Sequence, residues 1–447
     1  MDTVLLSKIQ FAMSVGFHYI FPLLTIGMAW IIVLMQYLYL KTQNDIYQKT
    51  SFFWIKLFSI SFVIGVVTGV VMEFQFGTNW SEYSRFVGDV FGAPLAAEGV
   101  YAFFLESVFI GVLVWGRNRV SKLFYWFSTL MVALGSTISA FWIIVANSWM
   151  QTPAGHQLIN GRAELTNFWA AVINPSTIPR FLHAVDGALI TGSFFVMGIS
   201  AWFLIKNKNV ECAQKSFKIS LIVAFFAAIM QLGLGHYHAV QVGETQPVKM
   251  AAFEGLFETT KGAHLLLFGI PDQEEEITRG AIGLPGILSF MLHGDFSAEV
   301  KGLKEYPKEE WPPLGMVFQS YHLMIILGSF FVAVTLVGIY LLWRRKLFDK
   351  KNFLRLMLFS LPLPIICNEV GWIAAEVGRQ PWVVYQVMKT NDASSFVVPA
   401  GQIMLSIILL GVIYLVLFAV WFFLLKQKIN AGFDVIDDHQ GEGVAVS

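Results

Sequence analysis

The sequence predicts an all-α fold: a polytopic membrane helix bundle of about nine transmembrane helices, N-terminus outside and C-terminus cytoplasmic. Three observations lead there. Of 447 residues, 56% are hydrophobic and only 13% charged, where a soluble globular protein carries roughly 25% charged residues. Mean hydropathy is +0.63. The apolar residues also gather in runs close to the ~20 that a bilayer core demands of one helix. Formal net charge is zero, so there is no basic footprint for nucleic acid. Cys212 lies in a basic loop and Cys367 in an apolar run, which implies neither a disulfide framework nor a thiolate metal site. The opening MDTVLLSKIQFA lacks a basic n-region and a small-residue cleavage site, so the first apolar segment is expected to stay as a span.

The apolar runs place helices at roughly 10–40, 52–74, 94–115, 123–147, 180–205, 216–236, 316–343, 355–378 and 399–425. The eighth contains Pro362, Pro364 and Glu369; prolines are tolerated in a membrane where neighbouring groups re-satisfy the freed backbone. Orientation follows from Lys and Arg in the short connections. One side carries Lys41 and Lys49, then Arg117, Arg119 and Lys122, then Lys206, Lys208, Lys215 and Lys218. RRKLFDKKNFLR follows on that side, and Lys426 and Lys428 close it. The other side is poor: 75–93 holds only Arg85, and 379–398 holds Arg379 and Lys389. The basic side is therefore expected in the cytoplasm. Two outer connections are long, 148–179 and 237–315; loops of the second length are usually functional or disordered. No internal repeat is visible, and 1–447 reads as a single integral membrane domain with an extracytoplasmic loop at 237–315.

Ionisable residues inside spans are costly and usually functional, and here they share one level. In this topology His18, Glu98, Glu106, His183 and Met324 fall in the outer halves of helices one, three, three, five and seven. Glu376 and Arg379 lie at the outer end of helix eight, and Asn147 closes helix four. Six helices thus aim polar groups at one layer beside both long loops, as a cofactor layer requires. Singly, each residue has a plainer explanation. A lone His near a helix end is more often interfacial than a ligand, a membrane Met is usually packing, and His322 is equally suited to an interface. His236 and His238, at i and i+2, do not share a helical face and are expected in solvated loop, as are His156, His264, His293 and His439.

Glu98 and Glu106, two turns apart in APLAAEGVYAFFLES, face nearly the same way. Two carboxylates on one face of an apolar helix favour proton handling or metal coordination over a helix-end ion pair. Glu369, Trp372, Glu376 and Arg379 form a second stripe, in NEVGWIAAEVGRQPW; its last two members alone would read as an ion pair capping the span.

Four stretches now carry a resemblance: SKIQFAMSVGFHYIFPLLTIG at 7–27, GVVTGVVMEFQFGTNWSEYSRFVGDVFGAPLAAEGVYAFFLES at 65–107, GETQPVKMAAFEG at 243–255 and GWIAAEVGRQPW at 371–382. With ISAFWIIVANSWMQTP at 138–153 they span nearly the whole chain. The sequence resembles subunit I of the cytochrome bd ubiquinol or menaquinol oxidase family, in the form with the shorter Q-loop. The long second stretch and GRQPW are highly specific.

The resemblance implies a haem-bearing subunit that oxidises quinol at the outer membrane face, reduces O2 to water and builds a proton gradient without pumping. His183 and Met324 match the axial ligands of a low-spin haem b. His18 matches a ligand to one of two high-spin haems and Glu376 a ligand to the other; these are a haem b together with a haem d or a further haem b. Glu98 matches a carboxylate at a high-spin iron. Glu106, with Ser107 and Ser139, matches a proton path, and Lys249 and Glu254 match quinol-oxidising residues of the Q-loop. Trp372 matches an aromatic between haems, and Arg379 joins the cofactor-binding set. His322 stands where many members carry arginine and is expected to hydrogen-bond a haem propionate. The implied partners are subunit II, a small single-helix subunit, a membrane quinol, O2 and the bilayer of a bacterial plasma membrane. A His/Met pair saturates an iron for electron transfer, whereas one weak ligand leaves a position for O2.

Two other readings compete. A non-oxidase dihaem cytochrome b, anchoring a dehydrogenase, would usually show His–His pairs across two helices and would not need Glu98, Glu106 and Glu376. A proton-coupled transporter fits buried Glu and His, but commonly shows internal repeats.

Overall fold

The computed structural model describes residues 2–433. Among the described residues, nine helices are long and apolar enough to cross a membrane. They are α1 (Thr3–Thr42), α2 (Asp45–Thr78), α3 (Ser81–Trp115), α4 (Lys122–Gln151), α5 (Thr177–Ile205), α6 (Val210–Thr245), α7 (Leu314–Trp343), α8 (Lys351–Val377) and α9 (Ala400–Ala431). His439 lies outside the described residues.

Number and order agree with the hydropathy reading, but the helices are longer. An apolar run ends where polar residues begin, whereas helical hydrogen bonding continues until a cap stops it. Asn44 accepts from Ile46 N–H at 3.0 Å to start α2, and Ser121 accepts from Phe124 N–H at 3.2 Å to start α4. Both caps precede the apolar run and satisfy otherwise orphaned amides.

Three helices depart in shape. In α3, Glu98–Phe103 is π-helical between two α-helical pieces. In α6, the helix continues to Thr245, so 236–240 is helical rather than loop and the long connection begins at 246. The α8 span is broken into Lys351–Phe359 and Leu363–Val377, where Pro362 and Pro364 remove two backbone donors.

The bundle is built around α5. Its most apolar window is 78% buried, against 11% for α9, so α5 is central and α9 peripheral. It packs against α1, α4, α6 and α8. A Cβ on Gly27 would lie 2.1 Å from Ala188 O and 2.8 Å from Gly192 N. The α1 and α5 backbones therefore touch, the close approach that small residues permit between membrane helices.

The two long connections meet at one end of the bundle. The first holds an antiparallel hairpin, His156–Ile159 with Arg162–Leu165. The second holds a helix at Pro247–Glu254, a hairpin of Leu265–Asp272 with Ile277–Leu284, and a helix at Ile287–His293. Gln246 Nε2 donates to Gln151 O at 2.7 Å and Gln241 Nε2 to Ser176 Oγ at 3.0 Å. These bonds tie the end of α6 and its loop to the end of α4 and the start of α5.

Candidate functional site: a polar layer at the loop end

Glu376 is the centre of the layer. Arg379 Nη2 donates to its Oε2 at 2.6 Å, and Asn147 Nδ2 and Gln151 Nε2 each donate to its Oε1 at 3.1 Å. Asn147 and Gln151 are one helical turn apart on α4, which places both on one face. Arg180, from the start of α5, approaches Oε1 at 3.5 Å and donates to Asn147 Oδ1. From the loop helix, Lys249 Nζ donates to Gln151 Oε1 at 2.5 Å. Three basic side chains thus surround one carboxylate. Arg379 Nε and Nη1 and Arg180 Nε are buried without an acceptor among the described residues. Buried guanidinium groups need anionic acceptors, so this donor set fits the propionates of a porphyrin.

His18 on α1 lies against α2. Its Nδ1 is 2.9 Å from Thr68 Oγ1, whose hydroxyl donates to Ile64 O at 2.9 Å. The threonine oxygen therefore accepts from Nδ1–H, which fixes the tautomer and leaves the Nε2 lone pair for a metal.

The two carboxylates of α3 both face α4. Ser139 Oγ donates to Glu98 Oε1 at 2.8 Å, and Ser136 Oγ donates to Glu106 Oε1. In a pure α-helix, residues eight apart are offset by about 80°. The π turn advances less per residue, which narrows that offset and lets both carboxylates meet serines one turn apart on α4. Ser107, the next residue along the helix, is exposed.

His183 on α5 meets α6. Its ring lies 5.4 Å from the ring of His238, and its Nδ1 is 3.1 Å from the Gln231 amide. His238 Nε2 and Gln231 Oε1 are buried without partners among the described residues. The expectation that His236 and His238 are solvated loop residues is corrected: both are helical, and the i, i+2 spacing sends His236 outward and His238 toward His183. His156 is also not free in solvent, since its ring packs 5.0 Å from that of Trp149. Met324 on α7 seats its sulfur against α8, where a Cβ on Gly371 would lie 2.7 Å from Sδ. Trp372, the next residue, is half-buried.

The loop helix adds the buried pair Lys249 and Glu254, 3% and 2% exposed. Burial pushes the Glu254 carboxyl up to about 8, despite hydrogen bonds from the Leu266 backbone and Tyr321. Burial, then the nearby Arg180 and Arg379 charges, pulls the Lys249 amine well below its ordinary range. Phe253 stacks on Tyr321 with centroids 4.3 Å apart, fixing the loop helix on α7. His322 meets backbone oxygens of the protein. Its Nδ1 and Nε2 each lie 2.9 Å from a backbone oxygen, of Phe318 and Leu266 respectively. A neutral ring donates to one of these oxygens, and it stacks on Phe318.

Several members of the layer escape sequence reasoning. Arg180 and Asp186 flank His183 at i−3 and i+3, a spacing test around the histidine that would have found both. Among the described residues, Asp186 is 2% exposed with both oxygens unpartnered, and Glu369 Oε1 is likewise buried and unpartnered. Thr68, Ser136 and Gln151 carried no signal, because their roles depend on how helices register.

The family model described as cytochrome bd terminal oxidase subunit I matches residues 6–433. Cytochrome bd ubiquinol oxidase subunit 1 of Bacillus subtilis (strain 168) is 42% identical, over 98% of this chain and 96% of its own length. Cytochrome bd-II ubiquinol oxidase subunit 1 of Escherichia coli (strain K12) is 33% identical over 98% of each chain. The structure of bd oxidase from Geobacillus thermodenitrificans matches with a TM-score of 0.91 at 29% identity, covering 96% of this chain and 99% of that one. A helix bundle of this shape, with a polar layer at its loop end and relatives along its full length, belongs to the cytochrome bd terminal oxidase subunit I family.

Proposed function

We propose that this chain oxidises quinol at its loop helix, on the outer membrane face, and passes the electrons through the polar layer to O2. As a family member it is a haem-carrying oxidoreductase of the bacterial plasma membrane, part of a multi-subunit complex that uses quinol and O2. One observation carries the finer reading. The helix bearing Lys249 and Glu254 is hydrogen-bonded directly into the layer that holds Glu376, Arg379 and Arg180.

His183 and Met324 would hold a low-spin haem b, His18 and Glu98 would flank one high-spin haem, and Glu376 would hold the other, a haem d or a further haem b. When bound, these groups supply one-electron transfer and the site of O2 reduction. The spare N–H groups of Arg379 and Arg180 would receive propionates. Trp372 fills space on the face of α8 that also bears Glu376.

Glu254 takes a proton from quinol. Its carboxyl, raised to about 8 by burial, is poised close to working pH, as a general base should be. Lys249 steadies the headgroup oxygen, and Phe253, stacked on Tyr321, keeps water from the loop helix. Protons released there leave on the outside. Protons consumed in O2 reduction enter from the cytoplasm and pass Glu106 with Ser136, then Glu98 with Ser139. Separating release from uptake makes the gradient without a pump. The basic connections at the opposite end support an outer position for the loop end. The remainder of the proton path belongs to subunit II, alongside a small single-helix subunit.

A reduced-minus-oxidised spectrum of the purified complex, with and without CO, tests this reading. The expected result is a Soret band with both CO-insensitive and CO-binding components. A correctly assembled complex with no Soret absorbance would overturn it, and a spectrum wholly insensitive to CO would favour the electron-transfer anchor.

A further inference from the structure

We infer that Gln151 is a positioning residue that couples the quinol-binding helix to Glu376, gripping Lys249 with one end of its amide and the carboxylate with the other. The inference rests on the proposed roles of Lys249 and Glu376.

Gln151 is the last residue of α4 and is 1% exposed. Its Oε1 accepts from Lys249 Nζ at 2.5 Å, its Nε2 donates to Glu376 Oε1 at 3.1 Å, and its backbone oxygen accepts from Gln246 Nε2 at 2.7 Å. One side chain therefore touches both the loop helix and the carboxylate. Among the described residues, Gln151 is the hydrogen-bond acceptor that buried Lys249 reaches.

The chemistry demands an amide at this point. Lys249 approaches as a donor and the Glu376 carboxylate is an acceptor, so the group between them must accept on one side and donate on the other. Leucine or methionine does neither, and an ionised glutamate has no donor. Partner identity fixes which way the amide points. Donation into its oxygen polarises the amide and strengthens its N–H as a donor, since linked hydrogen bonds reinforce one another. When Lys249 turns toward a quinol oxygen, Gln151 loses that polarisation and its hold on Glu376 weakens. A carboxylate receiving less hydrogen bonding donates more electron density to a metal it ligates. Occupancy of the quinol site is thereby felt at Glu376 as a lower tendency of its metal to be reduced.

The test uses the whole complex, with haem potentials titrated by chemical mediators in the absence of quinol. Lys249→Met and Gln151→Met should each shift the reduction equilibrium of one high-spin haem about tenfold toward the oxidised form, or about 59 mV for a one-electron couple. The double variant should lie within about twofold of Gln151→Met alone, because residues acting through one contact are non-additive. Gln151→Met should also raise the quinol KM while leaving the low-spin spectrum unchanged. If it fails to assemble, Gln151→Asn, too short to keep both contacts, should show the same loss of coupling. Additive shifts, or no shift in the single variants, would overturn the inference. The quinol reading fails separately: unchanged quinol turnover in Lys249→Met would remove it, whereas the coupling is read without quinol.

Discussion

His322 Nε2 lies 2.9 Å from the backbone oxygen of Leu266, so the helix that carries Met324 is strapped to the Leu265–Leu284 hairpin of the long second connection. Leu266 also hydrogen-bonds Glu254 through its backbone. His322→Leu should therefore loosen residues 265–284 by about 1–3 kcal/mol, the cost of leaving buried carbonyls unsatisfied. Faster amide exchange across the hairpin and a raised quinol KM would show it. The low-spin haem spectrum should not change; a changed spectrum with an unchanged hairpin would assign His322 to a haem propionate instead.

Met324 bears on a different property. Replacing it with leucine keeps its volume but removes the sulfur that meets α8 at Gly371. The low-spin spectrum should be lost while the high-spin signals remain. Intact low-spin absorbance in Met324→Leu would remove the ligand assignment.

The pH dependence of quinol oxidation should report Glu254. Its carboxyl is raised from 4.5 to about 8, so the proton-accepting form gains as pH rises toward 8. The kcat/KM for quinol should climb through that range and level off above it, and Glu254→Gln should abolish the limb. Stability runs the other way. A raised carboxyl contributes fully below 4.5 and loses that contribution as pH rises to about 8, so the same variant should flatten the fall in thermal stability over this window.

Glu106 is 7% exposed and bonded to Ser136, deep between α3 and α4. Glu106→Gln keeps the shape and removes the exchangeable charge. Proton uptake during turnover, measured as charge movement across a vesicle membrane, should slow by roughly the 10²–10⁴-fold that a positioned proton carrier contributes. Normal charge movement would place the path elsewhere.

Hydropathy alone made the nine spans legible, because a bilayer asks for one simple thing from each helix. It also located the polar layer, since ionisable groups in apolar runs stand out one by one. What it missed was set by helix ends and helix registers. His238 went unseen because α6 remains helical through a polar stretch, and the π turn of α3 leaves no hydropathy signature. Gln151 is an ordinary glutamine until α4, α8 and the loop helix are brought together. Ser136, which meets Glu106, is likewise an ordinary serine until α3 and α4 are brought together.

Oxygen uptake by Glu254→Ala, driven in one assay by quinol and in another by a chemical reductant of the haems, separates quinol oxidation at the loop helix from the reduction of O2. Quinol-driven uptake should collapse while chemically driven uptake stays close to that of the unaltered complex. Equal losses in both assays would contradict a loop helix that oxidises quinol.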